Sequence, residues 1–165
     1  MVDPAESARS DDEAALSRYA AALADAVDQA IGPWVLRCVA SVADRWRPGL
    51  SSQLADAAAR AAEDARREVG GQVRTLLETD VDQQRTGPLA VLRSGVRFPT
   101  AVLADAGVPQ VAREAFAQQA FPDDAYDLAP AAFVDIDPAL HEPGLVWGAA
   151  KAHVVLARRR AEGLR

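Results

Sequence analysis

The sequence offers few side chains that could carry out acid–base or metal chemistry. Its two histidines, His141 and His153, stand far apart in the chain, whereas metal-binding pairs on one helix are separated by three or four positions. Because His153 lies in an apolar segment, we expect it to be a hydrogen-bonded core residue. The competing interpretation is an enclosed small-molecule or enzyme site that holds His153 beside Trp147.

The densest group of carboxylates is Asp123, Asp124 and Asp127. These residues do not have the ligand spacing of a calcium loop. Aspartates of this kind frequently cap turns, and we expect Phe121 and Tyr126 to pin the turn onto the core. The sequence therefore predicts no metal site here.

Cys38 is the only cysteine, so an intramolecular disulfide is impossible. It lies in an apolar stretch, where a buried and unreactive thiol is the expected state. We find no phosphate-binding loop, nucleophile elbow or paired-cysteine motif. The sequence thus predicts no cofactor and a protein that is not an enzyme.

One segment, residues 100–119, resembles the helix-turn-helix of bacterial repressors. Two short helical stretches meet at Gly107, and Gln110 and Arg113 would face DNA. A plain corner between two helices explains the same pattern. The formal net charge of −6 argues against broad attraction to nucleic acid. A DNA-binding transcriptional regulator is therefore the alternative hypothesis.

The composition favours helices, because alanine is frequent and runs of β-branched residues are almost absent. We predict a disordered tail over residues 1–10 and a single all-α domain over residues 11–165. A polar connector over residues 80–87 is the candidate sub-boundary within it. The N-terminus carries no apolar leader segment, and we expect a cytoplasmic protein that does not enter the membrane.

The sequence predicts long helices in the first half of the domain. An amphipathic helix should end or kink sharply at Gly32-Pro33, and a second should begin at Pro33. A third is predicted from Leu50 to Val69, where Gly70-Gly71 either breaks or kinks it. Later helices are short and begin near a proline, at Pro88, Pro99, Pro109, Pro130 and Pro138.

The last predicted helix runs from Pro143 to Arg160, and Gly163 is placed to end it. It is apolar on nearly all sides. One face carries Leu145, Gly148, Ala149, Ala152, Val155 and Leu156. A helix of this kind is normally buried, so we expect it to be the centre of a helical bundle.

An apolar row on the second helix is the predicted partner-binding surface: Val35, Val39, Val42 and Trp46. Of the three tryptophans, Trp46 is the one expected to be exposed. We therefore predict a non-enzymatic helical interaction protein, an adaptor or accessory subunit. It would bind a protein partner or a second copy of itself.

Two segments resemble uncharacterised small helical proteins of high-GC actinobacteria: Phe121 to Asp124, and His141 to Lys151. The use of arginine in place of lysine, with Lys151 the only lysine, fits the same resemblance. It implies an origin and carries no function.

Overall fold

A computed structural model describes residues 4–79, 87–108 and 128–163. Every regular element in these ranges is helical, which confirms an all-α fold. In chain order the helices are α1 (Pro4–Trp46), α2 (Leu50–Gln53), α3 (Ala55–Ala65), α4 (Gly71–Glu78), α5 (Pro88–Ser94), α6 (Arg97–Asp105), α7 (Phe133–Ile136) and α8 (His141–Ala161). A π-helical turn, Arg66–Gly70, joins α3 to α4, and a 3₁₀ turn, Pro138–Leu140, precedes α8.

Helix α1 is the element around which the others pack. Its 43 residues give a rod about 65 Å long, and α2, α3, α4, α6 and α8 all contact it. Its buried positions recur at helical spacing on more than one side: Leu16, Ala20, Leu23, Ala24, Val27, Ala30, Ile31, Trp34, Val35, Cys38, Val39, Val42 and Ala43. The central helix is therefore α1, and the prediction that the C-terminal helix occupies the centre is wrong.

Of the two outcomes predicted at Gly32-Pro33, the helix end is wrong, because α1 continues through both residues to Trp46. Pro33 supplies no N–H to the carbonyl four residues earlier. However, Gly32 has no Cβ to clash with the proline ring, and the flanking Ile31 and Trp34 are buried. Packing on both sides of the proline thus outweighs the local cost.

The N-terminal residues also differ from the prediction. Residues 4–10, predicted to be part of a disordered tail, form the first turns of α1. Their described side chains, residues 6–10, are exposed, so these five residues lie outside the core.

The chain between α3 and α4 remains helical through the glycine pair. Gly70 closes the π-helical turn and Gly71 begins α4. A Cβ placed on Gly70 would lie 3.1 Å from Asp28 Oδ1, whereas one on Gly71 would meet nothing within 4 Å. Gly70 therefore lets this turn approach α1 closely. The chain keeps a helical conformation from α3 through Gly70 and Gly71 into α4.

Ion pairs tie the same region to its neighbours. Arg66 lies 3.2 Å from Asp28 and Arg74 lies 2.6 Å from Asp25, both across to α1. Arg97 of α6 pairs with Glu68 in the π-helical turn. These are exposed pairs, each worth no more than about 1 kcal/mol. They therefore contribute little to the free energy of unfolding.

The shorter helices follow their predicted starts closely. α5 begins at Pro88, and Pro99 lies in the first turn of α6. Gly107 has φ +82° and ends α6, donating its N–H to Ala104 at 2.9 Å. The predicted helix from Pro109 to Ala120 and nearly all of the sub-boundary at 80–87 lie outside the described residues.

In the described part of the chain, the buried residues form two clusters. The larger joins α1 to α4, α5, α7 and α8 through residues such as Leu23, Leu92 and Ile136. The smaller joins the end of α1 to α2, α3 and α6 through Val39, Leu50, Ala58 and Leu103. The core thus follows the length of α1, and α8 covers one side of its N-terminal half.

Candidate functional site

Helix α8 is held to α1 by one face only. Trp147 and Val154 are the buried residues of this inner face, and Lys151 lies over the Trp147 ring with its Nζ 5.2 Å from the ring centre. Arg158 reaches Glu13 of α1 at 2.9 Å. Because the segment before α8 contacts α1 near Arg37, α8 runs antiparallel to α1.

The opposite face of α8 carries a row of exposed residues that we call the outer stripe. They recur at alternating steps of three and four: Glu142, Leu145, Ala149, Ala152, Leu156 and Arg159. This spacing keeps them on one side of an α-helix. The stripe therefore spans nearly the whole helix, from its acidic first turn to its basic last turn.

Exposure on this stripe contradicts the prediction that α8 is sealed inside. Leu145 is 60% exposed and Leu156 is 52% exposed, and Val146 beside them is also exposed. A Cβ placed on Gly148, at the edge of the stripe, would meet nothing within 4 Å. The fold has too few described helices around α8 to cover an element that is apolar on all sides.

The two ends of the outer stripe carry opposite charges. Glu142 lies in the first turn of α8 and Arg159 in the last, where each sign is favoured by the helix dipole. Within the described part of the chain, neither residue forms an ion pair. Both charges are therefore free to meet a partner's charges without breaking a described contact.

His153 is not the core histidine that the sequence predicted. Its side chain is 71% exposed, and its Nε2 lies 3.5 Å from a carboxylate oxygen of Asp12. Trp147 is buried on the inner face, and its Nε1 has no hydrogen-bond partner among the described residues. The two side chains do not enclose a pocket, so the small-molecule interpretation lacks its required geometry.

The predicted partner-binding row on α1 divides into two parts. Val35, Val39 and Val42 are buried within the same chain, packed into the two core clusters. They cannot face a partner without unfolding, and this part of the prediction is wrong. Trp46 is 47% exposed, and it is the exposed tryptophan that the sequence predicted.

The residues that would contact DNA lie outside the described part of the chain. These are Gln110, Arg113 and the whole second helical stretch, Pro109 to Ala120, and Asp123, Asp124 and Asp127 also lie outside it. Only α6 and the turn at Gly107 are described. The DNA-binding regulator thus stays a prediction.

Cys38 is buried, as predicted, and its thiol is free. Burial raises its pKa to about 11, against a smaller lowering by Arg37. In residues 4–79, 87–108 and 128–163, no three His, Cys, Asp or Glu side chains are grouped to hold a metal ion. No helix in those ranges has the length and apolar character needed to cross a membrane.

An open cleft of about 620 Å³ lies between α3 and α6. Its walls combine alanines and Phe98 with charged side chains of both signs, Arg60, Asp64, Arg97 and Asp105. Arg97 is engaged by Glu68 and by the Phe98 ring, 4.7 Å from its Cζ. The walls contain no nucleophile–base pair, and the cleft indicates no particular reaction.

The sequence contains the signal for the outer stripe, because its four apolar members share one face of the last predicted helix. It does not show that this face is exposed. A helix that is apolar on all sides is typically buried, whereas exposed apolar faces mark interaction sites.

No protein-family model, curated protein or solved structure matches the chain.

Proposed function

We propose that this chain is a non-enzymatic helical interaction protein, an adaptor or accessory subunit, and that it docks through the outer stripe of α8. The observation that carries the proposal is the exposure of Leu145 and Leu156 on a helix whose other face is anchored. The cytoplasmic location and the lack of a cofactor remain predictions from the sequence.

The physical support is the free energy that remains available on this face. Full burial of a leucine side chain contributes about 1.5–3 kcal/mol relative to full exposure. Leu145 and Leu156 are each more than half exposed, so covering both would contribute roughly 2–3 kcal/mol. Ala149, Ala152 and Gly148 between them would let a partner helix approach closely, because they place little side chain between the backbones.

The electrostatics of α8 add specificity to this surface. An acidic first turn and a basic last turn select a partner helix whose charges run in the opposite order. The anchoring of α8 through Trp147 and Val154 also means that docking requires no rearrangement of the core. A preformed, one-sided helix of this kind is suited to helix-to-helix recognition.

A photo-crosslinking experiment tests the proposal. A benzoylphenylalanine at His153, exposed and bordering the outer stripe, should form covalent adducts in cells of the source organism. The same group at Ala59, exposed on α3, is the matched control. Mass spectrometry of the adducts then identifies what α8 contacts, whether a second copy or another protein.

Substitution of the leucines provides the second half of the test. Leu145→Gln with Leu156→Gln should abolish the adducts from position 153. Leu36→Gln, which changes an exposed leucine on α1, should leave them in place. Equal adduct yields from positions 153 and 59, or adducts that survive the double substitution, would contradict docking through this face.

A further inference from the structure

The apolar part of the outer stripe reads the same from either end, and its two ends carry opposite charges. From the N-terminus it presents an acid, leucine, alanine, alanine, leucine and a base, at steps of three, four, three, four and three. Its centre lies between Ala150 and Lys151. A surface that matches itself after a half-turn is what a two-fold, isologous contact requires.

Antiparallel pairing of two such stripes matches every position. Leu145 meets Leu156 of the second copy, and Ala149 meets Ala152, so small residues face each other at the centre and large ones at the ends. Glu142 then lies opposite Arg159 at both ends, where opposite charges attract. Parallel pairing would place Glu142 against Glu142 and Arg159 against Arg159, which is repulsive.

The residues that border the stripe fit the same arrangement. On one side, the open space at Gly148 faces Val155 of the second copy. On the other, the exposed Val146 faces His153. Antiparallel helices also align their dipoles favourably, the positive end of one beside the negative end of the other.

We infer that the occupant of the outer stripe is a second copy of this chain, bound through an antiparallel, two-fold α8–α8 contact. This inference rests on the proposed function and names its partner. The contact involves one helix per chain, so the dimer belongs to the small and weak class of interfaces. Association should therefore depend on protein concentration and, through the terminal ion pairs, on salt.

Charge exchange at the ends of the stripe tests the inference by sedimentation equilibrium of the full chain at low ionic strength. Glu142→Arg alone sets arginine against arginine, and Arg159→Glu alone sets glutamate against glutamate. Each single variant should raise the dimer dissociation constant by roughly tenfold. The double variant exchanges both charges, restores attraction, and should return to within about twofold of the unsubstituted chain.

This rescue is specific to the antiparallel contact. In a parallel pair the double variant would still oppose like charges and would gain nothing. Circular dichroism melts of each variant establish that α8 remains folded. Leu36→Gln, the exposed leucine away from the stripe, should leave the dissociation constant unchanged.

Three results would overturn the inference: a chain that is monomeric at every concentration, a dimer indifferent to the single charge substitutions, or a double variant that fails to recover. Failure here is separable from failure of the proposed function. A monomeric chain whose position 153 crosslinks to a different protein would leave the docking surface standing and remove only the second copy.

Discussion

Burial determines the chemistry of Cys38. The thiolate is the reactive form of cysteine, and desolvation of the Cys38 site disfavours that charged form, raising the pKa from 9.0 to about 11. The neighbouring Arg37 acts in the opposite direction but has the smaller effect. A thiol in this state is a small apolar core residue, not a nucleophile.

A labelling experiment tests this state. At pH 8, a disulfide reagent should modify Cys38 at least about a hundredfold more slowly in the native protein than in denaturant. In the native protein little of the thiol is ionised, and the reagent has no access to the buried sulfur. The raised pKa also makes the free energy of unfolding depend on pH: the contribution of the Cys38 thiol is fully present below pH 9 and is lost as the pH rises from 9 towards 11. Cys38→Ala supplies the blank, and rapid native labelling would refute the buried state.

The pKa of Asp44, in the last turn of α1, is shifted in the opposite direction. Its carboxylate accepts hydrogen bonds from the Ser51 hydroxyl at 2.7 Å and from the Ser51 N–H at 3.0 Å. These bonds, the hydroxyl first, lower the Asp44 pKa. The stabilisation is therefore present above the ordinary aspartate pKa and is lost as pH falls through the lowered value.

Asp44→Asn should consequently destabilise the protein at pH 7, and the deficit should shrink under acid conditions. Urea denaturation at a series of pH values measures it. Ser51→Ala removes the hydroxyl partner and should reproduce part of the deficit, again only above the aspartate pKa. A deficit that does not change with pH would show that the carboxylate charge is not involved.

Among the helices, the segment that joins α3 to α4 contains two adjacent glycines with different surroundings. Gly70 is buried against Asp28 of α1, whereas Gly71 is exposed with free space around its Cβ position. Both have α-helical backbone angles. Only the first is explained by packing, and the second is a helical glycine without a close neighbour.

The two alanine substitutions should therefore differ in their effect on the free energy of unfolding. Gly71→Ala should raise the free energy of unfolding by about 0.5–1 kcal/mol, because alanine loses less backbone entropy in a helix. Gly70→Ala should gain less or destabilise, because the new methyl group displaces the Asp28 side chain from Arg66. Thermal and urea unfolding measure the stability of both variants. Equal stabilisation by the two substitutions would show that the Asp28 side chain moves aside without cost.

For the whole molecule, the question is which apolar residues hold the chain together and which remain for a partner. Leu103 is fully buried in the smaller cluster, between α1, α3 and α6. Leu145 is mostly exposed on α8. The same residue type thus serves the core in one place and the surface in another.

Leu103→Ala should cost about 2–5 kcal/mol of unfolding free energy through lost burial and the cavity left behind. Leu145→Ala should stay within about 0.5 kcal/mol when measured at a concentration too low for association. Urea unfolding of the two variants provides the comparison. A large cost for Leu145→Ala in dilute solution would mean that the outer stripe is covered within the chain.

The sequence alone determined most of the described helical segments and where several of them stop. Three- and four-residue spacing predicted the buried side of α1, and Gly107 and Gly163 adopt the left-handed backbone expected at helix ends. These are local properties, set by side-chain spacing and by the steric freedom of glycine. Local information also identified the apolar face of α8 that carries Leu145 and Leu156.

Only the tertiary structure decided whether Pro33 ends a helix and which side of α8 is covered. The cost of an internal proline is local, but the burial of Ile31 and Trp34 that offsets it comes from distant helices. Likewise, the apolar residues of a helix face do not show whether the element that covers this face belongs to the same chain or to another one. Burial depends on how many elements surround a helix, and that number is a property of the assembled fold.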